Sequence, residues 1–188
     1  MRVAAVVLAA GASSRLGSAK QLARLGNENL LERAVRVARE AGCAPVVVVV
    51  GASRDAVLGD SRLDDVVTAI NDKWEDGMAS SIRVGVEALQ LCAVDAEGVV
   101  LMTCDQPAVT AAHLLEISSV DEMKASRYAG RNGIPAFFAK KYFAELMTLR
   151  GDKGARELLA TARYVELKSG ELDVDTREDL DKARELFG

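Results

Sequence analysis

The sequence predicts a three-layer α/β/α fold, in which a mostly parallel open sheet lies between two layers of helices. Unbroken apolar runs at residues 3–8, 46–50 and 98–103 are typical of strands that are buried on both faces of a parallel sheet. Segments with helical periodicity separate these runs, which indicates right-handed crossovers between parallel strands. Because the chain has 188 residues and no linker or repeat, we expect one domain, residues 1–188.

The first half of the chain alternates between strands and helices. After the first strand we expect a loop at residues 9–26 and a helix at 29–41, which Gly42 ends. The strand at 46–50 leads to a short helix at 53–58 and a third strand at 66–70. A longer helix begins near Ala79, since apolar residues from Met78 to Leu89 share one face.

The second half continues with the strand at 98–103 and a helix that starts at Thr110. A short strand at 124–128, a Gly-rich turn at 129–133 and a strand to 138 follow, and then helices at 140–148 and from about 151. A last strand is expected at 165–167, and Thr176 with Asp179 forms a capping box for the final helix. The single histidine, His113, is expected at the surface or partly buried, without a catalytic role.

The composition excludes several classes of partner and location. A net charge of −4 argues against nucleic-acid binding, because a phosphate backbone needs a basic face. Cys43, Cys92 and Cys104 are odd in number and lack C-x-x-C spacing, which favours a reduced, cytoplasmic protein. The first apolar run is read as a strand rather than a signal peptide. No run reaches membrane-spanning length, so we expect no membrane partner.

The loop after the first strand is the first candidate binding site. Small residues at 9–14 let the backbone approach a ligand closely, and Arg15 and Lys20 add positive charge for an anion such as phosphate. The loop has neither G-x-G-x-x-G nor G-x-x-x-x-G-K-[ST], so it is not a P-loop, and a dehydrogenase that transfers hydride is disfavoured. The alternative is an ordinary strand-to-helix turn with two surface cations.

Three further polar segments follow predicted strands or precede helices. Residues 77–81 lie at a helix N-terminus, where a serine either binds a ligand or caps the helix. Asp105 ends a buried strand at the ligand edge of the sheet, and Pro107 fixes its turn; the alternative is a turn-forming Asp. Asp173 and Asp175 precede the last helix, where stabilisation of the helix dipole is the alternative role.

These segments resemble motifs of the MobA-like nucleotidyltransferases, in the same order. Residues 8–20, LAAGASSRLGSAK, resemble the signature L-A-[AG]-G-x-S-x-R-M-G-x-x-K, with Leu16 in place of Met. Residues 77–86, 104–107, 128–138, 151–156 and 173–180 resemble further elements of the family: G-x-x-x-S-[IVL]-x-x-G-[LIV], C-D-x-P, Y-x-G-x-x-G-x-P-x-x-F, G-D-x-G-A-R and [DN]-[IV]-[DN]-T-x-E-[DE]-L. The resemblance covers essentially the whole chain and implies the Rossmann-like fold of nucleotide-diphospho-sugar transferases.

The resemblance also implies roles for individual residues. Lys20, Arg15 and Asp105 are the expected catalytic residues, and Asp105 with Asp175, or alternatively Asp173, is expected to hold Mg²⁺. The expected nucleotide-binding residues are Leu8, Ala9, Ala10, Gly11, Ser13, Arg15, Lys20, Gly77, Ser80, Ser81 and Cys104. The expected acceptor-side residues are Gln106, Gly133, Pro135, Asp152 and Arg156.

The implied reaction moves a nucleoside monophosphate from a nucleoside triphosphate to a phosphate-bearing acceptor and releases pyrophosphate. The methyl group of Ala10 narrows the space over the base, which favours a pyrimidine. By resemblance the expected pair is CTP and a molybdopterin-type cofactor, with a molybdoenzyme or a cofactor-handling protein as a candidate partner. Ile134 stands where that branch often has His, which leaves the acceptor open. The alternatives are cytidylyl or uridylyl transfer to a sugar or polyol phosphate, and a non-catalytic nucleotide-binding or cofactor-binding accessory protein.

Overall fold

Strands and helices alternate along the computed structural model, which describes residues 2–13, 15–118 and 122–188. In chain order they are β1 (Val3–Ala9), β2 (Arg24–Leu25), β3 (Glu28–Asn29), α1 (Leu30–Glu40), β4 (Val46–Val50), α2 (Arg54–Asp60), β5 (Val67–Ile70), α3 (Met78–Cys92), β6 (Gly98–Thr103), α4 (Ala111–Ile117), β7 (Lys124–Tyr128), β8 (Arg131–Ala139), α5 (Phe143–Thr148), α6 (Arg156–Leu159), β9 (Arg163–Glu166) and α7 (Arg177–Phe187). Short 3₁₀ turns occur at Lys20–Leu22, Trp74–Asp76 and Lys140–Tyr142.

A seven-stranded sheet with the order β5-β4-β1-β6-β8-β7-β9 forms the centre of the fold. The strands β5, β4, β1 and β6 pair in parallel, and β7 pairs in parallel with β9. Strand β8 runs antiparallel to both of its neighbours. The predicted α/β fold with a mostly parallel sheet is therefore confirmed. One edge of the sheet collects the carboxyl ends of the parallel strands and the start of β8.

Two layers of helices cover the sheet because successive residues of β1 point to opposite faces. Val3, Ala5 and Val7 lie in the cluster that includes α1 and α4, and Ala4, Val6 and Leu8 lie in the cluster that includes α3. Helix α3 packs closely on the sheet through Gly85, where a Cβ atom would come within 2.4 Å of Val6 Cγ1. The core thus fixes the position of β1 and of the loop that follows it.

A third apolar cluster joins α7 to the β2–β3 pair. It contains Leu25, Leu30, Leu172, Val174, Leu180 and Ala183. Val174 N also donates to Asp105 O at 2.9 Å, which ties the segment before α7 to the loop after β6. Asp175 is thereby brought to the same edge of the sheet as Asp105.

The structure differs from the sequence-based prediction in several elements. The β2–β3 pair falls where we predicted loop, and β8 begins at Arg131, inside the predicted Gly-rich turn, because residues 131–133 pair with β7. The helix predicted at 140–148 starts as a 3₁₀ turn and becomes α-helical at Phe143. Strand β9 begins two residues before the predicted position. Within the described ranges no helix is long and apolar enough to cross a membrane.

His113 is more deeply buried than predicted, since its residue surface is only 7% exposed. Its Nε2 atom lies 2.7 Å from Ser126 Oγ, which itself donates to Pro135 O at 2.5 Å. Because the single hydroxyl proton of Ser126 goes to that carbonyl, His113 donates from Nε2 and is the Nε2–H tautomer. The prediction of a surface position or partial burial was wrong because α4 packs directly against β7.

Candidate active site

Two adjoining cavities open at the edge of the sheet that holds the carboxyl ends of the parallel strands. The β1 cavity, of about 410 Å³, is lined by residues that include Leu8, Ala10, Gly11, Lys20, Trp74 and Ser81. The β8 cavity, of about 160 Å³, is lined by residues that include Gln106, Tyr128, Arg131, Gly133, Lys153 and Arg156. Met78, Thr103, Asp105 and Asp152 line both cavities and form their shared wall.

The loop after β1 is held in shape by Gln21, a buried residue on the 3₁₀ turn Lys20–Leu22. Gln21 Nε2 donates to Ala9 O at 2.7 Å and to Gly11 O at 3.0 Å. Ser13 Oγ accepts from Lys20 N at 3.0 Å and lies 3.3 Å from Gln21 Oε1. These bonds close the loop on itself and place Lys20 beside the β1 cavity.

Gly11 keeps the floor of the β1 cavity open. A Cβ atom added at Gly11 would meet no protein atom within 4 Å, so packing within the protein does not require glycine there. The space that a side chain would occupy belongs to the cavity that Gly11 lines. A ligand can therefore approach the backbone closely at this point.

The charged centre of the site is a cluster of two cations and two carboxylates. Lys20 Nζ lies 2.5 Å from Asp105 Oδ2 and 2.8 Å from Asp175 Oδ1. Arg15 Nη2 lies 2.5 Å from Asp175 Oδ2, and 70% of the Arg15 side chain is exposed, against 18% for Lys20. The four side chains come from the loop after β1, the end of β6 and the start of α7.

The carboxylates keep Lys20 protonated. Burial by itself would lower the pKa of Lys20, but the charges and hydrogen bonds of Asp105 and Asp175 outweigh it, so the pKa is raised. Asp173 differs from a usual carboxylate in that its pKa is raised rather than lowered. Partial loss of hydration and the negative charges of Asp105 and Asp175 raise the pKa of Asp173 to about 6. The site therefore carries concentrated charge of both signs.

The carboxylates fit a hard divalent cation that shares its coordination with a phosphate ligand. Asp105 Oδ1 is buried and has no hydrogen-bond partner, which leaves one oxygen of this carboxylate available. Among the described residues no group of three or more His, Cys, Asp or Glu side chains is arranged to hold a metal alone. Mg²⁺ is commonly held by one or two carboxylates together with substrate phosphates. Asp105 and Asp175 are the residues that would hold it here.

The N-terminus of α3 is organised by Asn71, which is buried after β5. Asn71 Nδ2 donates to Ser80 Oγ at 2.8 Å and to Ser81 Oγ at 2.9 Å. Ser80 Oγ is also within hydrogen-bond distance of the carbonyls of Lys73 and Gly77, while Ser81 lines the β1 cavity. Ser80 is therefore engaged in hydrogen bonds with main-chain carbonyls, and Ser81 is the serine that lines the cavity.

The β8 cavity has a wall that is fixed by hydrogen bonds to main-chain carbonyls. Gln106 Nε2 donates to Gly170 O at 3.2 Å and to the Tyr128 hydroxyl oxygen at 3.3 Å. The Tyr128 hydroxyl donates to Ile134 O at 2.9 Å. Glycine is needed at position 133, because a Cβ atom there would come within 2.5 Å of the Tyr128 hydroxyl oxygen. Arg131, Lys153 and Arg156 add positive charge to the lining.

Most of the predicted site residues meet at these two cavities. Leu8, Ala10, Gly11, Lys20, Gly77, Ser81 and Asp105 line the β1 cavity, and Gln106, Gly133, Asp152 and Arg156 line the β8 cavity. Ser13 and Asp175 bond to Lys20, which lines the β1 cavity, and Arg15 bonds to Asp175. Ala9 O accepts from Gln21, whereas Pro135 O accepts from the buried Ser126, which lines neither cavity.

Five predicted nucleotide-binding residues line neither cavity: Ala9, Ser13, Arg15, Ser80 and Cys104. Ser80 is committed to the main chain, as described above. Cys104 points into the core cluster on the α1 side, where burial raises the pKa of its thiol to about 12. Four further residues of the site were not among the predicted ones: Gln21, Asn71, Trp74 and Tyr128. Each is a polar or aromatic residue in or next to a predicted loop or strand end, and this position could have marked it as a candidate site residue.

The fold and this site define a nucleotidyltransferase-type α/β protein, and comparison with known proteins agrees. The model of the MobA-like NTP transferase domain matches residues 5–168. The chain therefore belongs to the MobA-like NTP transferase family, as the sequence motifs predicted.

Solved structures of a mycobacterial protein share this fold over nearly their whole length. The structure of Rv0371c from Mycobacterium tuberculosis H37Rv has a TM-score of 0.86 and 36% identity, with 98% of each chain covered. A structure of Rv0371c in complex with manganese has a TM-score of 0.80 and 33% identity, with 98% of this chain and 99% of that chain covered.

Sequence relatives have diverse names. Purine catabolism protein PucB of Bacillus subtilis is 30% identical, over 95% of this chain and 94% of its own. Nicotine blue oxidoreductase of Paenarthrobacter nicotinovorans is 29% identical, over 98% of this chain and 95% of its own. A probable molybdenum cofactor guanylyltransferase of Opitutus terrae is 35% identical, over 58% of this chain and 51% of its own.

Proposed function

We propose that the protein transfers CMP from CTP to a phosphate-bearing acceptor, a molybdopterin-type cofactor, and releases pyrophosphate. The observation that carries this proposal is the position of the Lys20 cluster. Asp105 lies on the wall shared by the two cavities, and Lys20 lines the β1 cavity. A triphosphate in the β1 cavity and an acceptor in the β8 cavity would have their reacting ends beside the same ammonium group.

The proposed reaction is an in-line displacement at the α-phosphorus. An acceptor phosphate oxygen forms a bond to the α-phosphorus, the bond from the α-phosphorus to the bridging oxygen breaks, and pyrophosphate leaves with that electron pair. Lys20 stabilises the charge on the α-phosphate, and the exposed Arg15 reaches the outer phosphates. The two cavities position the reactants, which supplies much of the rate enhancement in such reactions.

We propose Mg²⁺ as the metal, held by Asp105 and Asp175 together with the phosphates. When bound, it would offset negative charge on the phosphate oxygens. The unpartnered Asp105 Oδ1 supports this assignment, and so does the manganese complex of the relative Rv0371c. Lys20 contacts both carboxylates in the structure, so it has to release them in part when a cation binds.

The choice of CTP rests on Ala10. A Cβ atom placed at Gly51 would come within 2.8 Å of Ala10 Cβ, so the Ala10 methyl group packs closely on Gly51, and it lines the β1 cavity. The name of the Opitutus terrae relative supports a molybdenum cofactor acceptor, although that relative is named for guanylyl transfer. A molybdoenzyme or cofactor-handling protein is the proposed partner, and the three free thiols support a reducing, cytoplasmic location.

Pyrophosphate release tests the proposal. The protein is incubated with Mg²⁺, molybdopterin cofactor and each of CTP, GTP, UTP and ATP in turn. We expect release that depends on the cofactor and is fastest with CTP. Faster release with GTP would overturn the base assignment, and no release with any of the four would overturn the catalytic proposal.

Further arms of the same assay separate the other candidate functions. Release with a sugar phosphate or polyol phosphate in place of the cofactor would favour the alternative acceptors. Tight CTP binding without release would favour an accessory protein. An arm that follows NADH and NADPH oxidation is added because one relative is named as an oxidoreductase.

A further inference from the structure

Trp74 and Asp105 both line the β1 cavity, and they follow strands that are not neighbours in the sheet. Trp74 begins the 3₁₀ turn Trp74–Asp76, after β5, whereas Asp105 follows β6. In the sheet β4 and β1 stand between those two strands. With strands about 4.8 Å apart, three spacings separate β5 from β6 by about 14 Å. Trp74 itself contacts Gly51, which follows β4, and Gly51 in turn contacts Ala10, which follows β1.

The character of the cavity lining changes along this direction. Lys20, Asp105 and Asp152 supply charge around the shared wall, while Ala10, Gly11 and Trp74 supply small and apolar surface on the other side, where the exposed Glu75 follows Trp74. Among the described residues that line the β1 cavity, Trp74 is the only aromatic one. A nucleotide has the same polarity, since its phosphates are charged and its base is flat and largely apolar.

The main chain around Trp74 is held firmly in place. Gly77 N donates to Trp74 O at 3.2 Å, and Asn71 Oδ1 accepts from Lys73 N at 3.0 Å. A Cβ atom at Gly51 would come within 2.9 Å of Trp74 Cβ, so the two segments are in close contact. The side chain is half-buried and packs against the α3-side core, while the rest of its surface faces cavities.

We propose that Trp74 is a nucleobase-binding residue, whose indole ring packs against the base of the nucleotide while Lys20 contacts the α-phosphate. This inference rests on the proposed function and assigns the base end of the same site. A fixed aromatic ring offers the face of a base a stacking partner whose conformational entropy is already restricted. Stacking on an aromatic side chain depends little on base identity, so Trp74 contributes affinity and Ala10 selects size.

The test uses intrinsic fluorescence, because Trp74 is the only tryptophan of the chain. CTP with Mg²⁺ is titrated into the full protein, and inorganic tripolyphosphate with Mg²⁺ is titrated in parallel. We expect CTP to quench the fluorescence strongly and tripolyphosphate, which has no base, to bind with little quenching. Equal quenching by both ligands, or no change with CTP that calorimetry shows to be bound, would overturn the proposal.

Variants give a second, independent readout by calorimetry. Trp74→Leu is expected to weaken CTP binding by about 10- to 100-fold and to leave tripolyphosphate binding within about threefold. Trp74→Phe keeps an aromatic face and should retain most of the affinity for CTP. The matched control is Tyr164→Leu, which removes a half-exposed ring on β9 that lines neither cavity. Unchanged CTP affinity in Trp74→Leu would overturn the proposal.

Failure of this inference and failure of the proposed function give different results. Should Trp74→Leu fail to fold, the CTP and tripolyphosphate titrations of the unaltered protein still decide the question. Failure of every nucleoside triphosphate to bind the unaltered protein would overturn the proposed function and this inference with it. Normal CTP turnover with an unaffected Trp74→Leu variant would overturn this inference alone.

Discussion

Lys20 joins the three segments that build the charged centre. It comes from the loop after β1, and its ammonium group contacts carboxylates at the end of β6 and at the start of α7. This contact keeps Asp105 and Asp175 together in spite of their like charge. During the proposed reaction the ammonium group of Lys20 would interact with the α-phosphate instead.

Replacing Lys20 by alanine should lower kcat by roughly 100-fold or more, because a preorganised positive charge is lost from the transition state. The measurement is steady-state pyrophosphate release at saturating CTP. Lys182→Ala, which removes an exposed lysine on α7, is the control and should retain normal kcat. A Lys20→Ala enzyme with near-normal turnover would show that this ammonium group does not act on the α-phosphate.

His113 is expected to make the protein less stable as the pH falls. Burial lowers the pKa of His113 below its usual value of 6.5, so the unfolded chain takes up a proton that the folded protein does not. Well above pH 6.5 both states are neutral at this residue, and it contributes no pH dependence. As the pH falls below 6.5 the unfolded state is favoured, and His113→Gln should weaken the resulting decrease in Tm.

The measurement is Tm by calorimetry from pH 7.5 to pH 5.5. Asp173 has to be controlled, because its pKa of about 6 is raised and it therefore stabilises the folded protein as the pH falls. The comparison is made in an Asp173→Asn background, in which this opposing contribution is absent. An identical pH dependence with and without His113 would contradict the assignment.

At the scale of elements, the start of α3 and the loop before α6 fit together through Gly77. Its φ angle is +91°, and a Cβ atom there would come within 2.2 Å of Asp152 Oδ1 and 2.8 Å of the Gly151 carbonyl carbon. Ala79 N also donates to Gly151 O at 3.0 Å. This contact sets the position of Asp152 on the shared wall.

Gly77→Ala should therefore reduce the free energy of unfolding by about 2–3 kcal/mol, through backbone strain and overlap with the neighbouring loop. Urea denaturation measures the change. Gly59→Ala is the matched control in α2: its added Cβ meets open space, and it should stabilise the protein by about 0.5–1 kcal/mol. Equal stability of the two variants would show that the α3 contact does not need glycine.

The elements that sequence could predict are those whose pattern is local. Apolar runs predicted β1, β4 and β6, and the capping box of Thr176 and Asp179 was confirmed at the start of α7. The β2–β3 pair was missed because two-residue strands carry no periodicity. The start of β8 was misjudged because glycine suggested a turn, whereas pairing with β7 extends the strand.

Site residues that directly follow a predicted strand could be predicted from the sequence. Residues whose hydrogen-bond partners lie far away along the chain could not. Lys20 and Asp105 were found through the loops that carry them, and they do meet. Gln21 and Tyr128 were missed, because their carbonyl partners on other segments are known only once the chain is folded. Cys104 lies in the core cluster, whereas its neighbour Asp105 faces the cavity, because successive residues at the end of a strand point to opposite sides.

At the scale of the whole molecule, the two cavities lie side by side along one edge of the sheet. The residues of the β1 cavity follow β5, β1 and β6, and those of the β8 cavity come from β7, β8 and the loop before α6. The two substrates should therefore be separable by mutation, with distinct effects on each KM.

Arg156→Ala should raise the KM for the molybdopterin cofactor about 10-fold and leave the KM for CTP nearly unchanged, because it removes a charged contact from the β8 cavity alone. Both constants are measured by varying one substrate at saturation of the other. Arg150→Ala, a nearby arginine that lines neither cavity, is the control. A larger rise in the KM for CTP than for the cofactor would contradict the assignment of the two cavities.

The shared wall of Met78, Thr103, Asp105 and Asp152 has a consequence for what happens after the chemical step. In the proposed reaction the joined product would occupy both cavities and keep the contacts of the nucleoside monophosphate and of the acceptor, and it would lose only the contacts of the departing pyrophosphate. By the logic of linked ligands, the product is then retained more tightly than the reactants from which it forms. Departure of the product would limit the turnover rate, and a protein that accepts the finished cofactor directly would speed the cycle.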